Sequence, residues 1–144
     1  MRPSFEPETT RMRRVFLMGL TALPLLAGCA MTAAPPVAPV AVVFFTEDSA
    51  ALDTAAEGVV GEVARQAAAQ PGLPVTVLGF SDPDGGRAFN RALSAARAEN
   101  VAEGLRRAGI RPERIRATPR GPVPFELMPL ESRRVEIRIG QVAP

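Results

Sequence analysis

Histidine, tryptophan, tyrosine and lysine are missing from this 144-residue chain, and cysteine occurs once. Without histidine the chain lacks the commonest general base and the commonest metal ligand. With Cys29 alone, no internal disulfide can form. All 17 basic residues are Arg, which together with abundant Ala and Pro reads as the coding bias of a GC-rich genome more than as chemistry. Net charge is also scarce. The whole chain sets 17 Arg against 15 Asp and Glu; four of those Arg and two Glu fall within residues 1–28, so the remainder carries 13 of each. A neutral domain has no excess charge with which to displace counterions from a phosphate backbone, which argues against nucleic acid as a partner.

What is present begins with an export-like front. Arg11, Arg13 and Arg14 precede an apolar stretch from Val15 to Leu26, and the small residues Ala27 and Gly28 lead into Cys29. A positive region, a short apolar region and a small-residue site are the parts of a signal peptide. The apolar stretch is too short to cross ~30 Å of hydrocarbon as a helix. Leu26-Ala27-Gly28-Cys29 resembles a bacterial lipobox, which implies removal of residues 1–28, lipidation of Cys29 and, with Ala30 following, an outer-membrane anchor. Acyl chains contribute about 0.8 kcal/mol per buried CH₂, so two or more give stable anchoring. A cleaved signal with a chance cysteine and a short membrane helix are the alternatives, and either Met1 or Met12 can serve as the start. Residues 29–39 include the uncharged, Pro-rich Ala33–Pro39 and read as a short polyproline II tether. The folded domain is expected over 40–144.

Within it, Val40–Phe45 is an apolar, β-branched and aromatic run, expected as a buried strand. Asp53 or Thr54 opens a helix, with Thr54 and Glu57 spaced as a capping box and Ala56, Val60, Val63 and Ala67 forming its apolar face. Val75–Phe80 reads as a second strand and Pro83–Gly86 as a turn. A long helix follows over about Arg87–Ala108, with Leu93, Val101 and Leu105 as its core stripe and Gly109 as its stop. Arg114–Thr118 is expected as a short strand, Pro119–Pro129 as irregular chain and Arg133–Ile139 as an alternating strand. The order β-α-β-α-β-loop-β predicts an α/β (α+β) two-layer sandwich, with helices on one face of a small mixed sheet.

One stretch carries chemistry. Asp82 follows the second strand directly, and Asn90 and Arg97, seven apart, share a stripe of the next helix. Asp84-Gly85-Gly86 ahead of that helix offers free backbone N–H groups. A carboxylate, a guanidinium and an amide at one cleft edge suit a zwitterion, since the carboxylate accepts from an ammonium and the guanidinium forks onto a carboxylate. An ordinary surface ion pair is the competing reading.

From Asp82 through Gly85, Asn90, Leu93, Ser94, Arg97, Ala98 and Val101, the chain resembles the peptidoglycan-binding signature of the OmpA C-terminal-like family. Phe44-Phe45 with Ser49, Ala50 and Leu52 is similar to that family's opening, and Arg133-Arg134-Val135-Glu136-Ile137 to its closing strand. The resemblance implies a non-catalytic, lipid-anchored domain in the periplasm, holding the outer membrane to peptidoglycan peptide stems through diaminopimelate. It implies Asp82 and Arg97 as principal ligands, Asn90 and Arg133 as secondary contacts and Asp48 as a further candidate. Phe80-Ser81 stand where the family has His-Thr, Ser132 where it has Asn, and the shortened 119–131 segment implies loss of its third helix. The rival reading keeps the fold without the ligand, as a structural subunit of an envelope complex. An envelope enzyme is the further rival; with no His and the only Cys assigned to lipid, it is left with Asp82 and Asp84, two apart in a turn, as a carboxylate pair, and no catalysis is expected. Asp82-Pro83-Asp84-Gly85 lacks the spacing of a calcium loop, so neither metal nor cofactor is expected.

Overall fold

A computed structural model describes residues 39–140. The signal-like segment, Cys29 and the tether up to residue 38 lie outside the described residues, as do residues 141–144. The elements are β1 (Ala41–Phe44), α1 (Thr54–Ala68), β2 (Val75–Ser81), α2 (Arg87–Arg107), β3 (Ile115–Pro122) and β4 (Arg134–Ile139), with 3-10 turns at Pro112–Arg114 and Pro129–Glu131. The strands form one sheet in the order β1-β4-β2-β3. β4 runs antiparallel to both β1 and β2, whereas β2 and β3 are parallel. The last strand in sequence is thus an interior strand of the sheet.

Alternation along the strands sorts the two faces. Val43 from β1, Val75 and Val77 from β2, and Val135 and Ile137 from β4 join Ala56, Val60, Val63, Ala64 and Ala67 of α1 and Ala98, Val101 and Leu105 of α2 in one buried cluster. Both helices therefore lie on one face, and the two-layer mixed α/β sandwich is the observed architecture. On the other face Glu136 sits between Arg134, at 2.9 Å, and Arg138, at 2.7 Å, and the Arg134 guanidinium stacks 4.3 Å from the Phe80 ring centre.

Local chemistry explains the element ends, with three corrections to the sequence reading. Asp53, not Thr54, caps α1: its Oδ1 accepts from the N–H of Ala56 at 2.7 Å. With the cap one residue earlier, Glu57 lies beyond the third helical position, and no Thr54–Glu57 box forms. The second correction is β3, which starts at Ile115 and runs on to Pro122. As an edge strand it tolerates Pro119 and Pro122, which lack a donor. Arg114 instead ends a 3-10 turn and donates to the carbonyls of Leu73, Ala67 and Gln70 at the end of α1. A cation there complements the helix dipole. The third is Leu93, which is only half-buried; the inward face of α2 is Asn90, Ser94, Arg97, Ala98, Val101, Ala102 and Leu105. Gly109, at φ 96°, closes α2 in a Schellman arrangement: its N–H donates to Arg106 and that of Ile110 to Leu105.

Candidate functional site

The polar half of the inward face of α2 exists because β2 lies unusually near it. A Cβ on Gly79 would meet the carbonyl oxygen of Ser94 at 2.1 Å, so only glycine allows this approach. The close packing buries Ser94, whose hydroxyl accepts from the N–H of Gly121, and Asn90, which is 3% exposed. The Asn90 side-chain amide donates to the Asp84 carbonyl at 2.5 Å, and the main-chain carbonyl of Asn90 accepts from the Ser81 hydroxyl at 2.8 Å. Asn90 thus ties the turn after β2 to the first turn of α2.

Two turns further along from Asn90, Arg97 is buried to 1% exposure. Its Nε donates to the Ser49 carbonyl at 2.8 Å, and its two terminal nitrogens to Phe80 and Thr46 at 3.1 Å each. The Phe45 ring centre lies 5.3 Å from the guanidinium carbon. Burial pulls the Arg97 pKa below its usual value, against the opposing field of Asp82, while Arg133 adds to the lowering. Arg97 therefore fastens the β1–α1 turn to the end of β2.

Asp82 finds a different cation. Its Oδ2 accepts from Nε of Arg133 at 2.6 Å, and its Oδ1 accepts from the hydroxyl of Ser132. The other arm of the Arg133 guanidinium lies 3.3 Å from the carboxylate of Glu47. The hydrogen bond to Asp82 raises the Arg133 pKa, outweighing partial burial. Asp48 stands exposed on the same turn as Glu47, in the left-handed region at φ 50°, where Asp is among the tolerated residues. Its charge acts on both Arg97 and Arg133.

The expected residues are thus gathered at one end of the sheet, where β1 and β2 finish and β4 begins. Among the described residues, Asp82 forms its ion pair with Arg133, while Arg97 is held by carbonyls; their mutual effect is through space. Asn90 points into the turn. Sequence reasoning missed Glu47 and the role of Ser132. The adjacency of Glu47 to Asp48 was the only available signal. The end of the sheet thus brings together carboxylates, whose chemistry suits an ammonium, and a guanidinium, whose chemistry suits a carboxylate. Among the described residues, no group of acidic or cysteine side chains is arranged to hold a metal. A concavity between α1 and α2, lined by Leu52, Glu57, Val60, Gly61 and Gly104, includes none of these site residues.

A mixed four-stranded sheet with two helices on one face is the OmpA-like α/β fold. The chain belongs to the OmpA family, whose model matches residues 44–124. The peptidoglycan-associated lipoprotein of Burkholderia pseudomallei is similar in structure, with a TM-score of 0.64 at 23% identity, over 68% of this chain and 88% of that one. The OmpA-like domain of FopA1 from Francisella tularensis has a TM-score of 0.62 at 22% identity, over 68% and 69%. The periplasmic domain of MotB from Helicobacter pylori has a TM-score of 0.62 at 19% identity, over 76% and 80%. No curated protein sequence matches the chain.

Proposed function

We propose that this is a non-catalytic peptidoglycan-binding domain of the periplasm, and that Asp82 receives the ammonium of a diaminopimelate side chain. Arg133 takes the neighbouring carboxylate, with Asp48 at the rim. Arg97 and Asn90 belong to the site as the groups that hold its walls. The observation that carries this reading is the Asp82–Arg133 pair at 2.6 Å, standing at a strand end in a domain of the OmpA family. The proposal extends to the front of the chain: residues 1–28 as the removed signal, Cys29 as the lipidated anchor in the outer membrane and 29–39 as the tether to the domain at 40–144. No helix among the described residues is long and apolar enough to cross a membrane. Many anchored copies binding one polymer gain avidity, so weak single-site affinity suffices.

Co-sedimentation with purified diaminopimelate-type peptidoglycan tests the reading. The wild-type chain pellets with the polymer. Asp82→Asn loses one charge-assisted hydrogen bond and binds about 10- to 100-fold more weakly. A thermal melt of the same variant excludes unfolding as the cause. No soluble muropeptides are released during incubation.

A second reading rests on a specific observation. Asp82 is already satisfied by Arg133 and Ser132, and Arg97 by three carbonyls. A domain so saturated could serve as a structural subunit of an envelope assembly. Failure of the wild-type chain to pellet would establish this alternative.

A further inference from the structure

Any ligand ammonium that reaches Asp82 meets a cation already there. Nε of Arg133 lies 2.6 Å from Oδ2 of Asp82, and both side chains are 18% exposed. Asp82 itself is held from its other side, because Oδ1 accepts from the buried Ser132 hydroxyl. The group free to give way is therefore the guanidinium. Removed from Asp82 without compensation, it would stand half-buried and unpaired beside a second positive charge, which is a costly arrangement. A second carboxylate is in place to receive it. Oε2 of Glu47 lies 3.3 Å from the terminal nitrogen of Arg133, on a side chain that is 70% exposed and able to follow it.

Building on the proposed diaminopimelate site, we infer that Glu47 is a specificity-determining positioning residue that takes over Arg133 when an ammonium occupies Asp82. The guanidinium bridges the two carboxylates in the free protein. On binding, the ligand's ammonium replaces Nε of Arg133 at Asp82; the freed side of the guanidinium meets the ligand's carboxylate, while Glu47, with Asp48 near by, holds the terminal nitrogen it already faces. A ligand bearing only a carboxylate gains nothing from this exchange. Selectivity for an amine-bearing stem therefore comes from a residue that never touches the ligand. The β1–α1 turn that presents Glu47 is fixed by Arg97 through Thr46 and Ser49, so the acceptor is held within reach.

The test is a double-mutant cycle with meso-diaminopimelate as the probe and equilibrium binding followed by NMR titration. Glu47→Gln weakens binding about five- to tenfold, the size of coupling usual between interacting charged neighbours. Arg133→Ala itself weakens binding, because the ligand's carboxylate loses its partner; in that background Glu47→Gln changes the remaining affinity less than about twofold, because there is no guanidinium to receive. Thermal unfolding of each variant confirms that it is folded. Wild-type affinity in Glu47→Gln would overturn the takeover and leave the binding site standing. An undiminished Glu47→Gln effect in the Arg133→Ala background would overturn it too, by making Glu47 a direct ligand contact. Absence of binding by the wild-type protein would remove the site itself, and the takeover with it.

Discussion

Arg97 links three separate segments through carbonyl oxygens, two of which lie 48 and 51 positions away in sequence. Its removal takes a donor from the half-buried Ser49 and Phe80 carbonyls, while the Thr46 carbonyl keeps the N–H of Ser49. At about 1–3 kcal/mol for each acceptor left unsatisfied, Arg97→Ala should lose at least about 2 kcal/mol, which urea unfolding will measure. Arg97→Lys recovers only part, because an ammonium lacks the planar fork that reaches three carbonyls. Arg97→Ala is consequently a poor probe of ligand binding, and Asp82 and Arg133 are better ones. The spacing of Asp82, Asn90 and Arg97 was legible in the sequence, as was the end of the sheet to which they belong. Their partners were not. Periodicity places Asn90 and Arg97 on one stripe, but only the close approach at Gly79 turns that stripe inward.

At the scale of elements, the β2–α2 contact depends on Gly79. Gly79→Ala forces a methyl group against the Ser94 backbone at 2.1 Å. Overpacking of this kind costs about 1–3 kcal/mol, and more where the obstacle is backbone. The loss appears as a lowered melting temperature, and amide exchange should localise it to α2. Across the sheet, burial pushes the Glu136 carboxyl pKa up, but hydrogen bonds from Arg138 and Arg134 outweigh it and hold the value below the usual range. A depressed folded-state value stabilises above the unfolded value of about 4.3 and is lost as pH falls through the folded one. Glu136→Gln should therefore be less stable than wild type at pH 7, and the gap should narrow as pH drops below about 4. Urea titrations at pH 7 and pH 3 check this; a constant gap would contradict it. Alternation and capping residues made the strands and helices legible. β3 looks shorter in the sequence because its prolines resemble breakers until the strand is known to lie at the sheet edge. Leu93 looks like a core residue because apolar side chains fill most cores, whereas here the close packing buries Ser94 and Arg97 instead.

For the whole molecule, the order β1-β4-β2-β3 makes residues 134–139 indispensable to the sheet. Among the described residues β1 pairs only with β4, so deletion of 134–140 strands β1 and exposes Val75 and Val77 along their unpaired side. Such a chain should show no cooperative unfolding transition by circular dichroism, in contrast to the intact protein. At this same scale the proposed lipid anchor is testable: the chain should partition into detergent, and Cys29→Ser should move it to the aqueous phase.

The position of β4 also sets an order of events. A polypeptide entering a narrow pore from its N-terminus presents β1 long before β4, and β1 has nothing to zip onto. The sheet can lock only after residues 134–139 have emerged, so the architecture delays its own completion until its fourth strand is free.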